Sequence, residues 1–349
     1  MIIKLRNDLK EKPKILEWGT IFSDHMLFCD YKDNQWGEIQ IVPHGTLDLY
    51  PETVALHYGQ SVFEGMKAFK NINTGKIQMV RPKENLLRLN KSQSQICIPT
   101  FSDDKLEEIF QGLKQLIKID KDWVYDYPNS LYVRPFSFAS EPFLGLKPAS
   151  EYKFMIIMTP VPEYFSGSIK LWVPENYVRT VKGSVGTAKV SGNYAAGLLP
   201  LKIAHEKGFD QVLFLDGEHK KYIEECGAMN FFCVINDILI TPNLDSGTIL
   251  HGITRQSILD WARFKGYNVE ERPITINELI ASSRKQTLQE CFVCGTAAVV
   301  ASVDELQYKE YTIKPKYPIG ELTKEIHNYI VSIQYGKVKD ELNWVVKIN

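Results

Sequence analysis

The sequence predicts an α+β protein of two domains, and three observations carry that expectation. Short paired strands joined by turn dipeptides alternate with scattered amphipathic helices, not with a regular strand–helix–strand series. The 349 residues suffice for about two domains. The stretch from Pro160 to Ser168 collects Pro, Gly and Ser, the composition of a linker. The domains are therefore drawn as 1–160 and 171–349, with 161–170 as the connection.

Composition removes several classes of function. Apolar residues make up 44% and charged residues 24%, as in ordinary soluble proteins. A net charge of −1 gives no basic footprint for nucleic acid. No apolar run approaches the roughly 18 residues of a membrane helix, so no membrane partner is expected. The opening Met1-Ile-Ile-Lys4 has no apolar secretory core, and the six cysteines are scattered. Both point to a cytoplasmic protein with reduced thiols. Cys291-Phe-Val-Cys294 is a lone pair inside a strand-like run, where an offset of three puts the sulfurs on opposite faces. A structural zinc wants four ligands, so no metal is expected.

In chain order, Ile21–Cys29 reads as a strand that returns at Gly37–Val42 and breaks at Pro43. Leu56–Phe69 reads as a short helix, punctuated by glycine, running into a strand. Asn73-Thr74-Gly75 then turns it into Ile77–Val80. Pro82 suits a first helical position. Ser102 caps a second helix, with Asp103 and Asp104 in its first turn. Leu106, Ile109, Phe110, Leu113, Leu116 and Ile117 recur along it at helical spacing.

Leu131–Pro135 places Tyr132 and Arg134 on one strand face. A phenol beside a guanidinium is a carboxylate receptor. The other reading is an edge strand with a solvated arginine, stopped by Pro135. Lys153–Met158 is a buried strand, and Ile169–Val173 opens the second domain.

Gly183–Ala196 is crowded with small residues around Lys189. Lys189 is either a desolvated nucleophile or a solvated lysine on a turn. Val190 follows it, which breaks the P-loop pattern, and no dinucleotide fingerprint is present. Tyr194–Lys207 is helical, with Pro200 either kinking it or lying in a first turn. Gln211–Leu215 with Tyr222–Glu225, and Phe231–Ile235 with Ile238–Thr241, form hairpins. Gly252 precedes a helix whose free amides at Ile253 and Thr254 suit a phosphate, or are an ordinary helix start. Gly295-Thr-Ala297 is a second place where amides meet an anion. Leu322, Ile326, Tyr329, Ile330 and Ile333 mark a closing helix.

Six of these stretches, in order, resemble the branched-chain amino-acid aminotransferases, pyridoxal-phosphate enzymes of fold type IV. They are Leu56–Phe69 (LHYGQSVFEGMKAF), Leu131–Pro135 (LYVRP), Gly186–Tyr194 (GTAKVSGNY), Glu225–Asn230 (ECGAMN), Gly252–Ser257 (GITRQS) and Gly295–Ala297 (GTA). The resemblance implies a smaller N-terminal α/β domain and a larger C-terminal domain with a pseudo-barrel of strands. It also implies transamination of leucine, isoleucine or valine with 2-oxoglutarate. The products would be branched 2-oxo acids and L-glutamate, made in two half-reactions by a homodimer.

The same resemblance assigns roles to residues. Lys189 matches the lysine that holds pyridoxal 5′-phosphate and shuttles the proton. Glu225 matches the carboxylate on the pyridine nitrogen, and Tyr194 the phenol bonded to the ring oxygen. Arg88, the amides of Ile253 and Thr254, and Thr296 match the phosphate cup. Tyr132, with backbone at Thr296 and Ala297, takes the α-carboxylate, and Arg134 takes the distal carboxylate of glutamate. Phe22, Tyr58 and Tyr164 resemble the apolar pocket, with Tyr58 supplied by the neighbouring subunit.

Two departures stand out: Ala228 replaces a threonine of some members, and Ala298 and Ala301 occupy the thiol positions of some animal members. The rivals are a D-amino-acid aminotransferase, an aminodeoxychorismate lyase of the same fold, and a non-catalytic relative. The Tyr-Val-Arg strand speaks against the first. Products distinguish the second. Lys189, Glu225, Tyr194 and Arg88 together speak against the third.

Overall fold

The computed structural model describes residues 1–163 and 167–348. The chain forms two compact units. The first comprises Met1–Tyr164, Ala188–Ser191 and Ser332–Asn349, and the second comprises Phe165–Thr187 and Gly192–Val331. Limits of 1–160 and 171–349 therefore miss two returns of the chain to the first unit. Strand pairing causes both. Val190 bridges Val62, and Val345–Ile348 adds an antiparallel strand beside Ile77–Val80.

The strands of the first unit are β1 (Ile2–Ile3), β2 (His25–Lys32), β3 (Gln35–Trp36), β4 (Gln40–Pro43), β5 (Ser61–Phe63), β6 (Met66–Lys70), β7 (Ile77–Val80), β8 (Ser130–Ala139) and β9 (Tyr152–Val161). They make one sheet in the order β1-β4-β2-β9-β8-β6-β7, extended by Val345–Ile348, with β3 on β2 and β5 on β8. Helix α1 (Val54–Tyr58) precedes β5. Helix α2 (Pro82–Gln95) starts with Pro82 at its first position, where a missing amide hydrogen costs nothing. Helix α3 (Asp103–Ile119) begins as the sequence dictates, with Ser102 Oγ accepting from the Lys105 amide at 3.2 Å. Its apolar side lies close on the sheet. A Cβ at Gly112 would stand 2.8 Å from Leu27 Cδ1, so a larger residue would push the helix away.

The second unit has β10 (Ser168–Val173), β11 (Gln211–Leu215), β12 (Ile223–Cys226), β13 (Met229–Ile235), β14 (Ile238–Thr241), β15 (Val269–Glu271), β16 (Leu288–Gly295), β17 (Val299–Tyr308) and β18 (Tyr311–Ile313). The order is β12-β11-β10-β17-β16-β13-β14-β15, and β12 also pairs with β13. That extra pairing closes six strands into a barrel, which leaves those strands no open edge. Leu171, Leu213, Phe231, Cys233, Cys291 and Val293 pack in its main core. Phe232 and Phe292 point the other way and stack at 5.0 Å. Alternation along β13 and β16 thus buries both faces of the sheet. Cys291 belongs to the main core, while Cys294, three residues on, stands outside that cluster. Burial raises the proton affinity of both thiols.

Helices α4 (Ser191–Ala195) and α5 (Leu198–Glu206) replace the single helix drawn over 194–207. The break falls at Ala196-Gly197, which puts Pro200 in the first turn of α5, where it removes no helical hydrogen bond. Helices α6 (Ile253–Phe264), α7 (Ile276–Arg284) and α8 (Glu321–Gln334) complete the fold. Among the described residues no helix is long and apolar enough to cross a membrane, and no group of His, Cys, Asp or Glu could hold a metal ion.

Candidate active site

In the first unit the Lys189 backbone is fixed at both ends. Its amide donates to Ser92 Oγ on α2 at 2.9 Å, and its carbonyl accepts from Phe63 on β5 at 3.1 Å. The residue as a whole is half-buried, and its Nζ lies 4.8 Å from the centre of the Phe63 ring. Burial pushes its pKa down to about 8, and the Arg88 charge adds to this, against opposing pulls from Glu64 and Tyr132. The lowered proton affinity favours the desolvated reading of Lys189 over a solvated lysine on a turn.

Strand β8 lies between β6 and β9, so the edge-strand reading of Leu131–Pro135 is overturned. Pro135 sits within this central strand, and its carbonyl accepts from the Glu64 amide at 2.7 Å. Tyr132 and Arg134 share a face, and Arg134 Nη2 donates to the Tyr132 hydroxyl at 3.0 Å. The Arg134 guanidinium lies 4.4 Å from the Phe63 ring centre, so Phe63 carries both this cation and Lys189. Arg134 Nε is buried with no hydrogen-bond partner among the described residues. Such a donor suits an incoming carboxylate.

Four contributors escaped the sequence reading. Gly65 is required by Tyr132, since a Cβ there would stand 2.1 Å from its hydroxyl. Trp18 packs edge-on against Tyr132 at 5.7 Å. Lys67, directly across the strands from Tyr132, lies 5.3 Å from the Trp18 ring centre, and burial lowers its pKa to about 8. Glu64, with no exposed surface, receives Arg88 Nε at 2.7 Å on one oxygen. Arg88 Nη2 at 3.0 Å and Asn85 at 2.9 Å reach its other oxygen. Burial alone would raise the Glu64 pKa, but the Arg88 charge and these hydrogen bonds overcome it and hold the carboxyl below its usual value. The signal was available for Gly65 and Glu64, which sit in the Phe-Glu-Gly-Met run, whereas Trp18 needed the fold.

The second unit carries the remaining candidates. Glu225 on β12 is buried, with Arg179 Nη2 2.7 Å from Oε2 and Asn230 Nδ2 3.0 Å from Oε1. Neighbouring Glu224 accepts from the Thr248 hydroxyl instead, as strand alternation requires. Burial raises the Glu224 pKa, with Glu225 adding to the rise and Thr248 and Arg179 opposing it. Gly252 caps α6 with no side-chain hydrogen bond, leaving the first-turn amides of Ile253 and Thr254 without an intrahelical partner. Only glycine fits at 252, because a Cβ would lie 1.9 Å from Asn230 Oδ1. Asn230 also donates to the Leu250 carbonyl at 3.1 Å, joining this helix start to Glu225. Thr296 and Ala297 form the tight turn between β16 and β17, and Tyr194 lies half-buried on α4.

The structure assembles Arg88, Tyr132, Arg134 and Lys189 in the first unit, and Glu225, Ile253 and Thr254 near one another in the second. Phe22 stacks flat on His44 at 5.1 Å, and the ring against Tyr132 is that of Trp18. Tyr58 ends α1 and is exposed. Tyr164 lies outside the described residues.

The donor set fits a phosphorylated pyridine aldehyde. The first unit offers an amine of lowered proton affinity, and the second offers a buried carboxylate held by Arg179 and Asn230 and a helix start with no side-chain cap.

Comparison with known proteins gives the same class. The family model described as Amino-transferase class IV matches residues 61–306. Branched-chain-amino-acid aminotransferase 2 of Bacillus subtilis (strain 168) is 43% identical over 348 residues, covering 97% of this chain and 94% of its own. The branched-chain-amino-acid aminotransferase of Mycolicibacterium smegmatis is 40% identical over 345 residues, covering 95% and 92%. The solved structure of the Escherichia coli branched-chain amino acid aminotransferase aligns with a TM-score of 0.75 at 25% identity, covering 93% of this chain and 99% of its own. The chain belongs to the branched-chain-amino-acid aminotransferases of the class IV family.

Proposed function

We propose that this chain moves amino groups between leucine, isoleucine or valine and 2-oxoglutarate in two half-reactions, with pyridoxal 5′-phosphate as cofactor. The observation that carries the residue assignment is the Lys189 amine beside the Phe63 ring, with its pKa lowered to about 8. The lowered pKa enlarges the share of neutral amine, the form that is nucleophile and base.

When bound, the cofactor supplies an electron-withdrawing ring that stabilises negative charge at the substrate α-carbon. Lys189 would hold it and carry the α-proton, a transfer worth roughly 10²–10⁴-fold when the base is positioned. Glu225 would serve the ring nitrogen and Tyr194 the ring oxygen. The amides of Ile253 and Thr254, with Thr296 and Arg88, would hold the phosphate. Tyr132 and the Thr296–Ala297 backbone take the α-carboxylate. Arg134 answers the two-substrate problem. It rests on Phe63 when the side chain is apolar and pairs with the second carboxylate of glutamate, which would otherwise be buried unpaired at high cost.

The protein acts as a cytoplasmic homodimer. Tyr50, Leu56 and Tyr58 are exposed beside Phe143, Leu144 and Leu146, and the Phe143 amide bonds Glu52. An apolar patch of this kind is covered in most soluble proteins.

Incubating the protein with each of the proteinogenic L-amino acids and 2-oxoglutarate tests the reading. Glutamate should form from leucine, isoleucine and valine well ahead of the others. Release of pyruvate from aminodeoxychorismate, or preference for D-amino acids, would refute it. Sedimentation should give a dimer, and a monomer at working concentration would remove the subunit role of Tyr58.

A further inference from the structure

One buried guanidinium in the second unit touches three separate segments. Arg179 Nη2 lies 2.7 Å from Glu225 Oε2, donates to the Gly186 carbonyl at 2.9 Å, and also bonds the Thr248 carbonyl. Gly186 stands three residues before Lys189 in the chain, and Thr248 stands four before Gly252, the cap of α6. The packing is tight enough to demand glycine at 186. A Cβ there would meet Thr248 O and Thr180 Cγ2, both at 2.5 Å. No exposed charge is involved, because the Arg179 and Glu225 side chains are both almost wholly buried.

We propose that Arg179 is the positioning residue for the cofactor-facing groups of the second unit. One nitrogen, Nη2, faces all three acceptors, so this guanidinium gathers the Glu225 carboxylate, the loop running into Lys189 and the loop running into the α6 start at a single point. Lysine keeps the charge, but its ammonium is strongly hydrated and sits on a flexible stem, so it holds that buried point less rigidly. Asn230 secures the other Glu225 oxygen and the Leu250 carbonyl, so Glu225 is fixed from both sides. The inference rests on the reading of Glu225 as the partner of the ring nitrogen.

The test uses apoprotein of the wild type, Arg179→Lys, Arg179→Met and Glu225→Ala. Pyridoxal 5′-phosphate affinity is measured by equilibrium dialysis, and the thermal midpoint of each apoprotein is measured in parallel. Both Arg179 variants should bind the cofactor about 10–100-fold more weakly, the range lost when the partner behind a ligand-binding group is removed. The pH at which the bound cofactor changes its absorbance should also move, because Glu225 is no longer held. Unchanged affinity and absorbance profile in Arg179→Lys, with only a lowered midpoint, would overturn the proposal. Arg179→Lys keeps the buried charge and carries the test if Arg179→Met does not fold. Wild-type affinity in Glu225→Ala would instead overturn the reading of Glu225, so the two failures are separable.

Discussion

Around Tyr132 and Phe63 in the first unit, Lys67, Arg88, Arg134 and Lys189 gather near one buried carboxylate, Glu64. Around Arg179 in the second unit the balance is reversed, with Glu224 and Glu225 near one guanidinium. Burial pushes members of each cluster toward neutrality, helped at Lys189 by the Arg88 charge and at Glu224 by Glu225. Both lysines fall to about 8, and Glu224 is pushed up. Glu64 keeps its charge despite its burial, since Arg88 is forked on it. A cluster rich in positive charge is suited to anions, and one rich in carboxylates to a cationic or protonated group.

Changes that remove members of the first cluster test this contrast. Lys189→Ala should abolish turnover of leucine with 2-oxoglutarate, because nucleophile and base are lost together; measurable steady-state turnover would contradict the role. Glu64→Ala should be the most damaging to stability. It leaves Arg88 buried without its carboxylate, and losses of about 3–5 kcal/mol follow such removals. Chemical denaturation of the apoprotein reads this directly, and a loss under about 1 kcal/mol would show the pair to be peripheral. Arg134→Ala should reduce kcat/KM for glutamate by about 10–100-fold and for leucine much less, as expected for loss of one charged hydrogen-bonding partner. Equal losses for both substrates would count against the pairing with the distal carboxylate.

The smallest effect concerns pH. In the apoprotein the Lys189 pKa is below its unfolded value, so between about pH 8 and 10.5 the unfolded chain binds more protons than the folded one. Stability from this residue therefore rises with pH across that window. The unfolding free energy of wild type relative to Lys189→Met should shift toward the wild type from pH 8 to 10. Lys67→Met should show the same sign for the same reason. A difference that is flat with pH would mean the amines are not held against protonation.

Much of the fold could be read from local rules. Ser102 capped α3, Pro82 opened α2, and the Asn236-Asp237 turn joined β13 to β14, because each acts through its own neighbours. The motif residues Lys189, Tyr132, Arg134 and Glu225 were equally visible, since their spacing survives in the chain. Burial and partnership were not visible. Nothing near Arg179 or Trp18 in sequence announces Glu225 or Tyr132, and the central position of β8 contradicts what Pro135 suggests locally.

The sequence by itself determined which residue types were available for the chemistry and the local turns and caps that start each element. Those depend on interactions within a few residues. Only the tertiary structure decided that Lys189 loses its water, that Glu64 grips Arg88, and that β12 closes a barrel on β13. Desolvation and pairing are set by groups distant along the chain, so they exist only once the sheets have formed.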